Sequence, residues 1–324
     1  MTSAQDRGAA LLSVLLLVAV MAVIAATALD RLTLATRIAG ATASMDQARA
    51  FALAGEALVL RRAADIAQSR RADWLERAYP LPIPGGRATG RLDDATNCFN
   101  LNALVAETAP GRYIQRPSAV RQFAALARLS GIADGEAAAI AAAAADWIDS
   151  DAAEGPLGAE DAAYRSRTPA MLPANTLMAD SRELAQVRGV TPAHFQRLAR
   201  WICALPVADP VRVNINSLRD GEALLVAALW AERLSVGQVR AALAARPADG
   251  YGSAARFWQS AAMQGLTPPD DVAEQLVTTP RWLLLKSQVE LGDIVLDGQS
   301  LIDVRRDAGA TAPAIVGRQW SFGG

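Results

Sequence analysis

The chain has 324 residues, enough for two packed units or one domain carrying a large insertion. Its 32 Lys+Arg against 33 Asp+Glu leave no basic surplus of the kind a general polyanion binder needs. A lone histidine, His194, excludes two-histidine zinc helices, and a single pair of cysteines excludes four-cysteine zinc and iron–sulfur sites.

From Ala9 to Leu29 there is no charge, and at about 1.5 Å per helical residue this stretch spans roughly the 30 Å core of a bilayer. Arg7 precedes it and Asp30-Arg31 come directly after, so the basic flank keeps the N-terminus in the cytoplasm and sends the remainder across. A secretory signal peptide would share the short basic start and the apolar core, with small residues around 25–28 as a cleavage site. The next segment favours an anchor. Residues 30–72 lack proline, and Leu32, Leu34, Ile38, Met45, Phe51, Leu53, Leu58 and Leu60 recur at loose helical spacing between charges. The spacing predicts one continuous helix, apolar over 9–29 and amphipathic over 30–80, ending near Tyr79-Pro80.

Pro80, Pro82, Pro84, Gly85 and Gly86 then break the chain. Residues 81–117 read as short strands, with Asp93-Asp94 as a turn. Residues 118–277 are alanine-rich and helical, punctuated by glycine and proline, with no long-period repeat apparent. Residues 278–324 change period, and Trp282–Leu285, Ser287–Leu291 and Ser300–Val304 read as strands separated by turns at Gly292-Asp293 and Asp297-Gly298. The fold class is therefore α+β, a long N-terminal helix and a small antiparallel sheet interrupted by a large all-helical insertion.

Between residues 146 and 161 the chain places Asp146, Asp149, Asp151, Glu154, Glu160 and Asp161 with no basic residue among them. Carboxylates at this density repel one another unless solvated or neutralised by a cation. Gly155 and Gly158 allow the backbone to turn so that oxygens converge. Hard oxygen ligands without His or Cys suit Ca²⁺, although Asp149-x-Asp151-x-x-Glu154 is not EF-hand spacing. A solvated acidic loop capping a helix N-terminus is the competing account. The candidate metal ligands are Asp149, Asp151, Glu154, Glu160 and Asp161. Cys98 and Cys203 allow one connectivity, a bridge if the compartment is oxidising and two buried thiols otherwise.

The leader Gln5-Asp6-Arg7-Gly8, joined directly to an apolar helix, resembles a type IV prepilin-like leader. In that family a prepilin peptidase cuts after the glycine and methylates the new N-terminus, here Gly8 and Ala9. Further motifs resemble the type II secretion system protein K family, the largest minor pseudopilin. They are Asn100–Leu104, Asp146–Asp151, Gly158–Asp161 with Tyr164, Pro173–Asn175, Leu184–Gly189 and Val213–Asn216. The fifth position after the cleavage site, normally glutamate in pilins, is Ser13 here, which resembles protein K in lacking that glutamate.

The resemblance implies calcium at the acidic loop and a pilin-like fold. It also implies a place at the tip of the type II secretion pseudopilus, initiating or capping its assembly for export across the outer membrane. Implied partners are the other minor pseudopilins (proteins I and J), the major pseudopilin, the prepilin peptidase and the bacterial inner membrane. The implied topology is a single pass with a periplasmic C-terminal domain.

Two other function classes are weighed against this. Val187–Thr191 before a helix, and Val213–Asn216 before another, also resemble helix-hairpin-helix modules, so a membrane-anchored DNA-binding protein for DNA uptake is the alternative. Residues 120–280 carry 14 Arg and 18 Asp+Glu, however, a net charge of −4, whereas a DNA module should be basic. We therefore expect no nucleic acid partner. No enzyme is expected either. His194 sits on a predicted helix beside Phe195 and Leu198, no nucleophile motif is present, and no glycine-rich phosphate loop follows a strand.

Overall fold

A computed structural model describes residues 4–75, 77–231, 233–305 and 312–323. Helix α1 (Ala4–Ile66) is uninterrupted because it contains no proline. Its first part projects freely: Leu11 to Ile38 hold their large apolar side chains more than half exposed, as a membrane-spanning segment would in the absence of lipid. Burial against the rest of the chain begins at Ala48.

The expected continuation of the helix to Pro80 is corrected. The helix stops at Ile66, and Ser69 Oγ accepts the N–H of Arg71 in the turn beyond it. Pro80 and Pro82 lie instead in strand β1 (Ala78–Ile83), which forms a hairpin with β2 (Gly86–Asp94) through Pro84-Gly85. Gly85 has φ +74°, a conformation that glycine adopts without steric cost. Proline is tolerated in β1 because this is an edge strand, where a missing N–H can face away from the ladder.

Between β2 and the next strand of the sheet lies the insertion. It contains β3 (Phe99–Asn100), β4 (Val105–Ala109), β5 (Arg112–Gln115), α2 (Pro117–Leu129), α3 (Asp134–Ile148), α4 (Asp161–Arg165) and α5 (Pro192–Leu198). It continues through β6 (Ile202–Cys203), β7 (Val213–Asn214), α6 (Ala223–Leu229), α7 (Val236–Ala244), α8 (Ala254–Trp258), α9 (Asp270–Ala273) and β8 (Leu276–Val277). The chain then returns in β9 (Trp282–Leu291), β10 (Ile294–Asp303) and β11 (Ala314–Gly323). The main sheet is antiparallel throughout, in the order β1-β2-β9-β10-β11.

The insertion leaves and re-enters at adjacent points. The Ala95 N–H donates to the Trp282 carbonyl at 3.0 Å, and Thr96 Oγ1 accepts the N–H groups of Arg281 and Trp282. One sheet face is covered by α1, which buries Ala48, Ala52 and Ala63 against Val289, Leu296, Leu283 and Leu285. Glu56, 3% exposed, accepts a bidentate pair from Arg318 and a 2.6 Å hydrogen bond from Ser300. This pair fixes the register of α1 on β10 and β11.

Four further sequence expectations are revised. The 81–117 segment divides, because Phe99–Gln115 packs into the insertion and not on the sheet. Phe99, Leu101, Leu104 and Val105 are apolar without alternation and are buried all round, with Phe99 stacked on Phe123 at 5.1 Å. Asp93-Asp94 ends β2 and forms no turn: Asp93 pairs with Lys286 at 2.7 Å, and Asp94 accepts from Asn214 and Ser217 of the insertion. Trp282–Leu291 is one strand, and Asp297-Gly298 lies inside β10. Gly298 is required there because a Cβ would stand 2.5 Å from Ser287 Oγ and 3.1 Å from the Trp320 ring.

The insertion also contains a repeat that was not apparent in the sequence. Asn100-Leu-Asn-Ala-Leu104 and Asn214-Ile-Asn-Ser-Leu218 play matching parts. Asn102 exchanges hydrogen bonds with the backbone of Met178 and caps the Leu205 carbonyl; Asn216 does the same with Tyr251 and Thr278. Each motif adjoins a two-residue parallel bridge, β3 with β6 and β7 with β8.

Candidate metal centre

Helix α3 is a run of alanines that buries Ile140, Trp147 and Ile148, and it delivers Asp146 and Asp149 at its C-terminal end. The helix dipole is negative there, so the site disfavours carboxylates unless a positive charge joins them. This placement removes the account in which the acids cap a helix N-terminus, at least for Asp146 and Asp149. Asp146 Oδ2 accepts the N–H groups of Ala159 at 2.7 Å and Gly155 at 3.3 Å. The loop is thereby folded back over the helix end.

Gln115 of β5 reaches in from outside the acidic segment and donates to Asp146 Oδ1 at 2.6 Å and Asp149 Oδ2 at 2.7 Å. The result is convergence: Asp149, Asp151 and Glu160 each bring an oxygen within 4.8 Å of the others. Asp149 is 1% exposed and Glu160 4%, yet Asp149 Oδ1 and both Glu160 oxygens lack a hydrogen-bond partner among the described residues. Burial, with lesser repulsion from neighbouring carboxylates, pushes Asp149 up to about 6 and Glu160 up to about 7; burial also raises Asp146. Buried acceptors without donors call for a proton or a cation. The chemistry of this donor set, all carboxylate oxygen, fits a hard divalent ion.

Of the five candidate ligands the structure brings three together and leaves two apart. Glu154 turns to Arg188 at 3.5 Å, and Asp161 pairs with Arg165 one helical turn later at 2.7 Å. Arginines outside the acidic segment draw them off. Gln115 was missed because nothing in its own sequence neighbourhood marks it. The glycines matter sterically: a Cβ on Gly158 would lie 1.9 Å from Asp146 Oδ2. Gly158→Ala is therefore expected to cost about 1–3 kcal/mol through overpacking, read as a lowered thermal midpoint. An unchanged midpoint would mean that the loop is not held against Asp146.

Cys98 and Cys203 are joined, with Cα atoms 5.8 Å apart, beside the β3–β6 bridge. Gly8 and Ala9 fall in the first turns of α1, where side chains lie outside the described ones. His194 closes a capping box with Thr191 at the start of α5. The helix-hairpin-helix resemblance gains no support from Asn214 and Asn216, whose amides are buried on Asp94, Tyr251 and Thr278.

Comparison with known proteins gives a consistent result. Two family profiles described as "Type II secretion system (T2SS), protein K" match residues 97–207 and 213–279, the two halves of the insertion. Type II secretion system protein K of Pectobacterium carotovorum subsp. carotovorum is 33% identical over 308 residues, covering 92% of each chain. The protein of the same name from Aeromonas hydrophila is 35% identical over 261 residues, covering 76% of this chain and 78% of its own. Among solved structures, the GspK-GspI-GspJ complex from the type 2 secretion system of enterotoxigenic Escherichia coli contains a similar chain. Its TM-score is 0.71 at 27% identity, covering 85% of this chain and 96% of that one.

Proposed function

The chain belongs to the type II secretion system protein K family and is a minor pseudopilin; from that premise we propose that it sits at the tip of the pseudopilus, anchored through α1 in the bacterial inner membrane. The observation that carries this reading is the apolar first half of α1 continuing without a break into the half that the sheet grips through Glu56–Arg318. A subunit so built inserts its helix among those of its neighbours and leaves the insertion outside as a cap.

Cleavage by a prepilin peptidase after Gly8, followed by methylation of Ala9, fits the leader. The flanking charges orient the C-terminal domain into the periplasm. The similar chain in the GspK-GspI-GspJ complex supports proteins I and J as partners; the major pseudopilin below them is part of the proposal. The detergent-solubilised full chain is expected to co-purify with its own system's proteins I and J as one species. Elution of the three apart at micromolar concentration would refute the assignment of partners.

Calcium is the proposed occupant of the acidic loop, held by Asp149, Asp151 and Glu160. When bound it neutralises charge that burial otherwise disfavours and ties the end of α3 to the start of α4.

Ser13 supports the tip position. In pilin-like assembly a glutamate near the start of each incoming helix neutralises the terminal amine of the subunit above, since an unpaired ammonium is costly in apolar surroundings. Ser13 offers no carboxylate, so this subunit can receive others beneath it but cannot itself join beneath one. Ser13→Glu is expected to let labelled copies appear along the shaft. Unchanged restriction of the variant to filament ends would count against the account.

A further inference from the structure

The two outer edges of the main sheet are not alike. On the β1 side, Pro80 and Pro82 share the alternation of Ala78, and a proline survives in a strand where its nitrogen faces away from the neighbour. Two of the outward positions of this short strand therefore carry no N–H, and β1 cannot accept a further strand. On the other side, β11 runs from Ala314 to Gly323 with no proline within it. Its register against β10 breaks once, at Val316, and is then regular from Gly317 paired with Leu301 to Gly323 paired with Val295.

Every second N–H and C=O in that regular stretch points out of the sheet, and among the described residues none has a backbone partner other than β10. Of the devices that normally blunt such an edge, lysine and proline are absent, the bulge at Val316 lies outside the Gly317–Gly323 stretch, and the inward-pointing charge of Arg318 is neutralised. There is no lysine in β11, and the charge of Arg318 is drawn inward onto buried Glu56. On the α1 side, Trp320 and Phe322 are only half-buried, packed on Val289 and Leu296, with the Arg318 guanidinium over the Trp320 ring at 5.5 Å and that of Arg49 over the Phe322 ring at 5.1 Å. On the other side, Gln319 and Ser321 are exposed.

We infer that the Gly317–Gly323 edge is a strand-addition site that takes an extended segment of a different polypeptide as a sixth strand. Its outward backbone groups supply the hydrogen bonds. The segment's side chains alternate, apolar beside Trp320 and Phe322 and polar beside Gln319 and Ser321. A second copy of this chain is the wrong occupant. Two-fold antiparallel pairing of β11 with itself leaves both α1 helices on the same sheet face but pointing in opposite directions, which two apolar N-terminal helices entering one membrane cannot do. The inference does not depend on the tip position.

The test uses the detergent-solubilised full chain and a seven-residue peptide alternating valine and threonine, N-methylated at every second amide so that one edge only can pair. Hydrogen exchange resolved to single residues is expected to slow saturably, by about tenfold or more, at alternate amides of Gly317–Gly323. The same peptide methylated at every amide should leave them unchanged. No protection, equal protection by both peptides, or protection elsewhere with β11 unaffected would each overturn the proposal. So would protection that grows with protein concentration when no peptide is present, which would make the edge a self-association surface.

Discussion

Replacing both bridged cysteines, as Cys98→Ser/Cys203→Ser, is expected to lower the unfolding free energy by about 4–5 kcal/mol. The bridge closes a loop of 105 residues, and in the chain-entropy treatment a loop of about that size restricts the unfolded chain by about 4.7 kcal/mol. Little else can compensate locally. The β3–β6 ladder spans two residues on each strand, reinforced by the Phe99 N–H on the Trp201 carbonyl at 2.7 Å. Behind it lie Asn100 and Asn102, whose amides hold Leu205 and Val207, so loosening β6 exposes polar groups buried with that segment. A thermal midpoint lower by on the order of 10 °C should accompany the change, and reduction of the unmodified protein should reproduce it. Denatured, unreduced protein should show no reactive thiol. Two thiols, or a variant within about 1 kcal/mol of the parent, would sink the assignment.

How far the sequence could be read depended on how local each signal was. The apolar half of α1 is legible because absence of charge and of proline is a property of the segment itself. The end of the helix was misplaced because Pro80 and Pro82 read as breakers, whereas they occupy an edge strand that tolerates them. Asp297-Gly298 read as a turn by composition, but a partner across the sheet, Trp320, demands the glycine. The Asn-x-Asn repeat was overlooked although both motifs stand in the chain with matching leucines. Gly189-Val-Thr-Pro192 and Gly265-Leu-Thr-Pro268 recur after them as well, with both glycines at positive φ. Unequal spacing hid it, since the acidic loop lengthens the first half alone. At that loop, charge density pointed to Asp149, Asp151, Glu154, Glu160 and Asp161 alike. Which carboxylates stay behind was decided by Arg165, Arg188 and Gln115, and none of these falls within the acidic run.

Glu160→Gln should raise the stability of the calcium-free protein and abolish its response to calcium. Both Glu160 oxygens are buried without a donor, beside Asp149 and Asp151, so the ionised form is disfavoured and its pKa is pushed up to about 7. The amide is isosteric and uncharged, and it removes that repulsion. The sign with pH is set by the same shift. A carboxyl whose folded pKa exceeds its unfolded value stabilises the fold below the unfolded pKa and loses that contribution as pH rises through the folded one. With Asp149 at about 6 and Glu160 at about 7, calcium-free protein should lose stability between about pH 4 and pH 7. A shift of about two pH units at about 1.36 kcal/mol each makes this on the order of 3 kcal/mol for each of the two groups. Calcium at about 100 times its Kd should add about 2.7 kcal/mol to the parent at pH 7.5, and less as protons compete for the same oxygens near pH 6. The variant should show no calcium increment and should lose the share of the pH slope that belongs to Glu160, keeping that of Asp149. Thermal melts with chelator and with millimolar calcium at pH 5, 6 and 7.5 decide it. A parent that melts identically in both would remove calcium from the loop. A variant less stable than the parent in chelator would show that Glu160 is held by a partner other than a cation.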